Sequence, residues 1–121
     1  MAVAKPLEKT AKAGLLYPYN SWKNRIAILR FVQDIPMEPS HVSYECLKET
    51  ESLLYRLRHK PMKICWGMKD WCFDGAFLHQ WRERFKEASV TEFPNAGHYI
   101  LEDAHETVVP AVQNFLAAEN P

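Results

Sequence analysis

The chain has 121 residues, 47% hydrophobic and 25% charged, with 15 basic and 15 acidic residues and a formal net charge of zero. That suits one modest globular core rather than two independent ones, and the balanced charge argues against a nucleic-acid partner or an anionic membrane surface. Cys46, Cys65 and Cys72 are an odd number with no C-x-x-C pair, which argues against a disulfide scaffold and for a reducing, cytoplasmic setting.

The opening stretch MAVAKPLEKTAKAGLL carries Lys5, Lys9 and Lys12 without a long apolar run, so it does not read as a signal peptide, and no later run is long enough to span a bilayer. Pro6 and Gly14 bracket a short helix, and Tyr17-Pro18-Tyr19 reads as extended or turn. Asn20 or Ser21 then caps a helix with Trp22, Ile26, Leu29 and Val32 on its apolar side and Lys23, Arg25 and Arg30 solvated. It stops by Ile35-Pro36, and Met37-Glu38-Pro39 is a linker. Ser40 opens the next helix, whose stripe is Leu47, Leu53, Leu54 and Leu57. Arg56, Arg58, His59 and Lys60 crowd its end, where cations suit the helix dipole; a phosphate patch is the sharper reading, but no Gly-rich loop accompanies it.

Met62 to Trp66, between Pro61 and Gly67, is a short strand with Lys63 interrupting its apolar run. Asp74 caps a helix with Phe77, Leu78, Trp81 and Phe85 at helical spacing, and Phe73 before the cap suits a hydrophobic staple. Ser89 to Phe93 is a second strand, with Val90 and Phe93 able to face a core. Pro94-Asn95-Ala96-Gly97 is turn chemistry, tolerant of φ > 0. Asp103 or Thr107 starts a last helix with Val108, Val112, Phe115 and Leu116 inward and Pro110 in its first turns, since deeper it costs about 3 kcal/mol. No repeat or low-complexity tract is present.

Strand, helix and strand in this order make a parallel βαβ unit, and the two strands then end on the same side of the sheet. Asp70 follows one strand end and His98 the other, on the side where open α/β sheets place their ligand chemistry. A carboxylate beside an imidazole fixes its tautomer, orients the ring and stabilises the imidazolium formed on proton uptake. Taken singly, Asp70 is equally a turn cap and His98 a surface or core histidine. Zinc needs a tighter set such as H-E-x-x-H, which His98, Glu102 and His105 do not supply, so no metal and no cofactor is expected.

WGMKD, followed after a helix by FPNAGHYILED, resembles the C-terminal end of α/β-hydrolases, above all the haloalkane dehalogenase-like group and its relatives, the β-lactone decarboxylases of bacterial olefin biosynthesis. The resemblance matches Gly67-Met68-Lys69-Asp70 to that family's G-x-x-D acid turn and Ala96-Gly97-His98-Tyr99 to its A-G-H-[FY] histidine turn, in the family's order of acid then histidine. PYNSWKNRIAILRFVQDIP resembles the last helix of the cap over the hydrolase site and the passage back to the core, where Trp22 and Arg25 would structure the junction. The resemblance implies an α/β class and a partial α/β-hydrolase fold. Residues 1–38 would be the end of the cap and a return linker, and residues 39–121 the C-terminal part of the core. It implies Asp70 and His98 as catalytic acid and general base, and Trp71, Phe73 and Tyr99 as an apolar pocket for a small apolar substrate; Phe73 is equally a staple alone.

A triad also needs a nucleophile on a strand–elbow–helix turn between small residues. None of the four glycines, Gly14, Gly67, Gly75 and Gly97, flanks a Ser, Asp or Cys in a G-x-S-x-G or G-x-D-x-[GA] pattern. The expectation is therefore the C-terminal, acid–histidine half of a longer hydrolase, with Met1 an internal or alternative start and the missing N-terminal half its natural partner. Which bond is cleaved, by dehalogenation, lactone decarboxylation or ester hydrolysis, is left open. A catalytically silent fragment or interaction module of the same fold is the alternative, and an unrelated thiol or metal site at Cys65, Cys72 and His79 is a third.

Two parallel strands and four helices cannot cover both faces of a sheet that is normally buried on both, and an open strand edge invites association. The chain alone is expected to be marginally stable and to self-associate. Sedimentation and thermal melting test this, and a monomer that melts cooperatively would count against it.

Overall fold

In the computed structural model, which describes residues 2–119, the two strands lie where the apolar runs place them: β1 is Lys63–Gly67 and β2 is Ser89–Phe93. They pair in parallel, Lys63 opposite Ser89 through to Gly67 opposite Phe93. Between them runs α4, Gly75–Arg84, preceded in the chain by α1 (Lys9–Leu16), α2 (Ile26–Gln33) and α3 (Tyr44–Leu53) and followed by α5 (Ile100–Glu119). The described residues thus mix helices with a small parallel sheet, an α/β arrangement. Among the described residues no helix is long and apolar enough to cross a membrane.

The chain divides into two compact units, Glu8–Arg56 and a second made of the segment through Leu7 together with Leu57 onward. The expected division at residues 38 and 39 rests on the resemblance rather than on packing; Met1 and residues 120–121, which that division includes, lie outside the described residues.

In the Glu8–Arg56 unit, helices form where apolar residues recur, yet their apolar sides are open. Ile26, Leu29 and Val32 of α2 are exposed, as are Trp22, Phe31 and Leu47. The expected helix from Asn20 or Ser21 begins tightly. The Ser21 hydroxyl accepts the Asn24 N–H at 3.3 Å, a 3-10 turn follows over Lys23–Arg25, and α-geometry starts only at Ile26. Tyr17–Tyr19 is likewise a 3-10 turn. Ser40 does not open the third helix: the His41 ring nitrogen accepts the Ser43 N–H at 3.1 Å, holding a turn that delays α3 to Tyr44. That helix ends at Leu53 and tightens into 3-10 geometry over Leu54–Leu57, so its leucines do not form one continuous stripe.

The second unit holds the core: Leu78, Phe85, Phe93, Ala96 and Val108 are buried, with Cys65, Ile100 and Ala104 packed against the Phe93–Ala96–Val108 cluster. Asp74 caps α4 by accepting the Ala76 N–H at 2.9 Å, and Phe73 meets Phe77 edge-to-face with centroids 5.2 Å apart, the expected staple. Lys63 does not simply face water. Its ammonium crosses to the Ser89 and Thr91 hydroxyls of β2 at 3.2 and 2.8 Å.

The last helix departs from expectation. It starts at Ile100 rather than Asp103 or Thr107, because the Tyr99 carbonyl accepts the Glu102 and Asp103 N–H groups and closes a first turn. Ala104 then breaks it (φ −146°, ψ 28°), and the Thr107 hydroxyl donates back to the Ala104 carbonyl at 3.0 Å. Pro110 lies in the second turn beyond that break, among the first turns of the segment that follows it, as expected. Val108 is buried, but Val112 and Leu116 are 38% and 53% exposed, so the helix carries exposed apolar surface beside its buried one.

The turn after β2 uses no left-handed residue; no described residue has positive φ. Glycine serves close approach instead. A Cβ on Gly67 would overlap the carbonyl oxygens of Gly97 and Ala96, the latter at 2.7 Å, where only backbone could yield. Gly75, by contrast, has open space around its missing Cβ. Gly67→Ala is therefore expected to lose about 2 kcal/mol or more of unfolding free energy by overpacking, while Gly75→Ala stays within about 0.5 kcal/mol or stabilises; urea titration of the two variants compares them.

Candidate functional site

Backbone pairing does not stop where the strands do. Past Gly67 the Met68 N–H donates to the Phe93 carbonyl at 3.0 Å and the Lys69 N–H to the Ala96 carbonyl at 2.9 Å. The Asp70 N–H donates to the Gly67 carbonyl at 3.1 Å and closes the acid turn. The segment that delivers Asp70 is thus hydrogen-bonded to the segment that delivers His98, and the missing Cβ of Gly67 lets the two backbones touch.

The side chains meet accordingly: Asp70 Oδ2 lies 2.8 Å from His98 Nδ1. The other carboxylate oxygen accepts the Cys72 N–H at 2.8 Å and the Phe73 N–H at 3.0 Å, so the acid is gripped by its own turn while it grips the ring. Burial, with 10% of the side chain exposed, works against the charged form of Asp70; the Phe73 N–H, the His98 ring and the Cys72 N–H outweigh it and hold the carboxyl below its ordinary range. An ionised carboxylate only accepts, so the partner assigns the proton to Nδ1 and makes Nε2 the basic nitrogen. The His98 side chain is one-third exposed and open to a reactant.

Of the aromatic residues assigned to a pocket, two adjoin the imidazole. Phe73 lies with its ring centroid 5.5 Å from that of His98, and Tyr99 at 5.7 Å. Trp71 is 69% exposed and, among the described residues, has no ring contact with this group. The Trp66 indole donates to the Phe73 carbonyl at 3.1 Å and steadies the aromatic turn from β1. In the other unit the Arg25 guanidinium lies over the Trp22 ring, 5.8 Å from its centroid, and donates to the Tyr19 carbonyl. The metal alternative is corrected: among the described residues no three His, Cys, Asp or Glu side chains are placed to hold an ion, so Cys65, Cys72 and His79 form no metal site, and Cys65 and Cys72 are free thiols.

Sequence reasoning missed a second carboxylate. Asp103, read only as a helix start, is the buried charged residue of the chain's described part, 5% exposed. It accepts the N–H groups of Gly97 at 2.7 Å, Ala4 at 2.8 Å and Lys5 at 3.0 Å. Burial opposes its charge, but the Ala4, Gly97 and Lys5 N–H groups and the Lys5 ammonium hold its carboxyl below the ordinary range. No local pattern announces this, because two of the three donors lie at the far end of the chain.

Comparison with known proteins gives two curated relatives of the same description, cis-3-alkyl-4-alkyloxetan-2-one decarboxylase. The protein from Shewanella oneidensis is 42% identical over 111 residues, 92% of this chain and 35% of its own length. That from Xanthomonas campestris pv. campestris is 38% identical over 116 residues, 96% of this chain and 39% of its own length. The chain therefore spans between a third and two-fifths of the curated relatives it matches. No protein-family profile matches it.

Both carboxyls have folded-state values below their unfolded ones. Their contribution to stability is complete above the unfolded carboxylate range, about pH 4, and is lost as pH falls through the lower folded values. The urea midpoint is expected to drop on acidification from pH 5 towards about pH 2. A midpoint that holds or rises over that interval would contradict the two hydrogen-bond clusters.

Proposed function

We propose that this chain is the acid–histidine part of an α/β-hydrolase-type β-lactone decarboxylase, with His98 as general base and Asp70 as the acid that orients it. The observation that carries the reading is the 2.8 Å contact between Asp70 Oδ2 and His98 Nδ1 at the shared C-terminal side of a parallel strand pair. The two relatives support it, since each is named for decarboxylation of an oxetan-2-one bearing two alkyl groups. In this reading residues 1–38 are the end of a cap with its return linker, and residues 39–121 the C-terminal part of the core. The nucleophile belongs to a segment that these 121 residues do not include.

The chemistry asked of this chain is modest and specific. The Asp70 carboxylate keeps the Nδ1 proton in place, so Nε2 can accept a proton at the reacting centre and the resulting imidazolium is stabilised by the adjacent charge. Phe73 and Tyr99 flank the ring and, with Trp71, offer apolar surface suited to alkyl chains. Loss of carbon dioxide from a four-membered lactone leaves an alkene, so the product of such a site is as apolar as its substrate's side chains. Haloalkane or ester substrates fit the same acid–histidine half, but neither relative is named for them.

The absence of a nucleophile elbow favours one second reading: a fragment catalytically silent by itself that pairs with a complementary half. Both readings are tested by replacing the matching segment of the Shewanella oneidensis decarboxylase with this chain and assaying conversion of a cis-dialkyl β-lactone to alkene. Turnover is expected in the chimera, together with a loss of about 10³-fold or more in His98→Ala without loss of folding. A folded chimera that turns over equally well with His98→Ala would refute the base assignment. A chimera that folds but is silent would favour the second reading.

A further inference from the structure

We propose that Asp103 is a positioning residue for His98, acting through the backbone N–H groups of its two chain neighbours, Gly97 and Tyr99. The Gly97 N–H, just before His98, donates to Asp103 Oδ2 at 2.7 Å. The Tyr99 N–H, just after it, donates to the Ala2 carbonyl at 2.9 Å. The segment carrying that carbonyl is tied to the same carboxylate, through the Ala4 N–H on Oδ2 and the Lys5 N–H on Oδ1, while the Lys5 ammonium donates to the Asp103 carbonyl at 3.0 Å. The N–H groups of both residues flanking His98 thus lead to one buried carboxylate, that of Gly97 directly and that of Tyr99 through the N-terminal segment.

Packing closes the same loop. A Cβ on Gly97 would sit 3.0 Å from the Ala2 carbonyl oxygen and 3.3 Å from both Ala4 N and Asp103 Oδ2, so the turn, the N-terminal segment and the carboxylate are already in contact. Three N–H donors converging on two oxygens call for an acceptor at both, which a carboxylate supplies in full and an amide only at its one oxygen. Burial makes each of these charge-assisted bonds costly to leave unmade. The consequence falls on one side chain: the His98 backbone cannot swing, so Nδ1 is held at Asp70 rather than left to find it. What this positioning is for rests on the acid–base role proposed above; the positioning itself does not.

The test uses the 121-residue chain labelled with ¹⁵N in its histidine rings. In the unsubstituted chain the His98 Nδ1–H is expected as a slowly exchanging signal that Asp70→Asn removes, and the Gly97 and Tyr99 amides are expected to be protected from hydrogen exchange. Asp103→Ala should abolish the Nδ1–H signal. Asp103→Asn can turn its one carbonyl oxygen to Gly97 and Ala4, with its NH2 set against the Lys5 N–H, and should restore the signal in part. Val108→Ala removes buried methyl groups at a 3% exposed core position and should leave the signal intact, which separates positioning from general destabilisation. A folded Asp103→Ala chain with an unchanged Nδ1–H signal overturns the proposal. Where that variant does not fold, unprotected Gly97 and Tyr99 amides in the unsubstituted chain overturn it equally. Loss of the signal alongside an inactive chimera would sink only the acid–base reading, and a retained signal alongside an active chimera would sink only the positioning.

Discussion

Two backbone hydrogen bonds beyond the ends of the strands, Met68 N–H to the Phe93 carbonyl and Lys69 N–H to the Ala96 carbonyl, are the constraint on which the site depends. They continue the parallel ladder into what would otherwise be two independent loops. Only a chain without a side chain at Gly67 can come that close to the Ala96–Gly97 backbone. Once the two turns are bound to each other, the separation of Asp70 and His98 is set by peptide geometry rather than by the wandering of long side chains.

Each member of the pair is then held from behind. Asp70 is fixed by the N–H groups of its own turn, and the backbone at His98 by a carboxylate further along and by the N-terminal segment. The arrangement concentrates buried charge in two places, and in both the cost of desolvation is met by several N–H donors rather than by one opposite charge. Exposed ion pairs such as Arg82 with Glu92 lie elsewhere and contribute little to this rigidity.

The well-packed part of the molecule and its uncovered part are separate matters. Phe93, Ala96 and Val108 bury one another beneath the site, whereas Val112, Leu116 and the apolar residues of α2 remain open. Of the apolar stripe that periodicity finds in α5, Val108 is a core contact, whereas Val112 and Leu116 are largely exposed.

What the residues alone determined is local. Runs of strand formers between Pro61 and Gly67 and from Ser89 to Phe93, the capping Asp74 and the Phe73 staple all act within a few positions, so their structures follow from short-range sterics and hydrogen bonding. Those elements also put Asp70 and His98 at the same side of a parallel pair. Where short-range signals conflicted with a neighbouring turn, as at Ser40, or with a break, as at Ala104, the boundaries moved. The part that only tertiary structure decided is the role of Asp103, whose partners include Ala4 and Lys5 from the opposite end of the chain. No spacing rule reaches that far: a carboxylate's partners are chosen by which N–H groups the folded backbone buries beside it, and that is settled only when Ala4 and Lys5 come to lie beside Asp103.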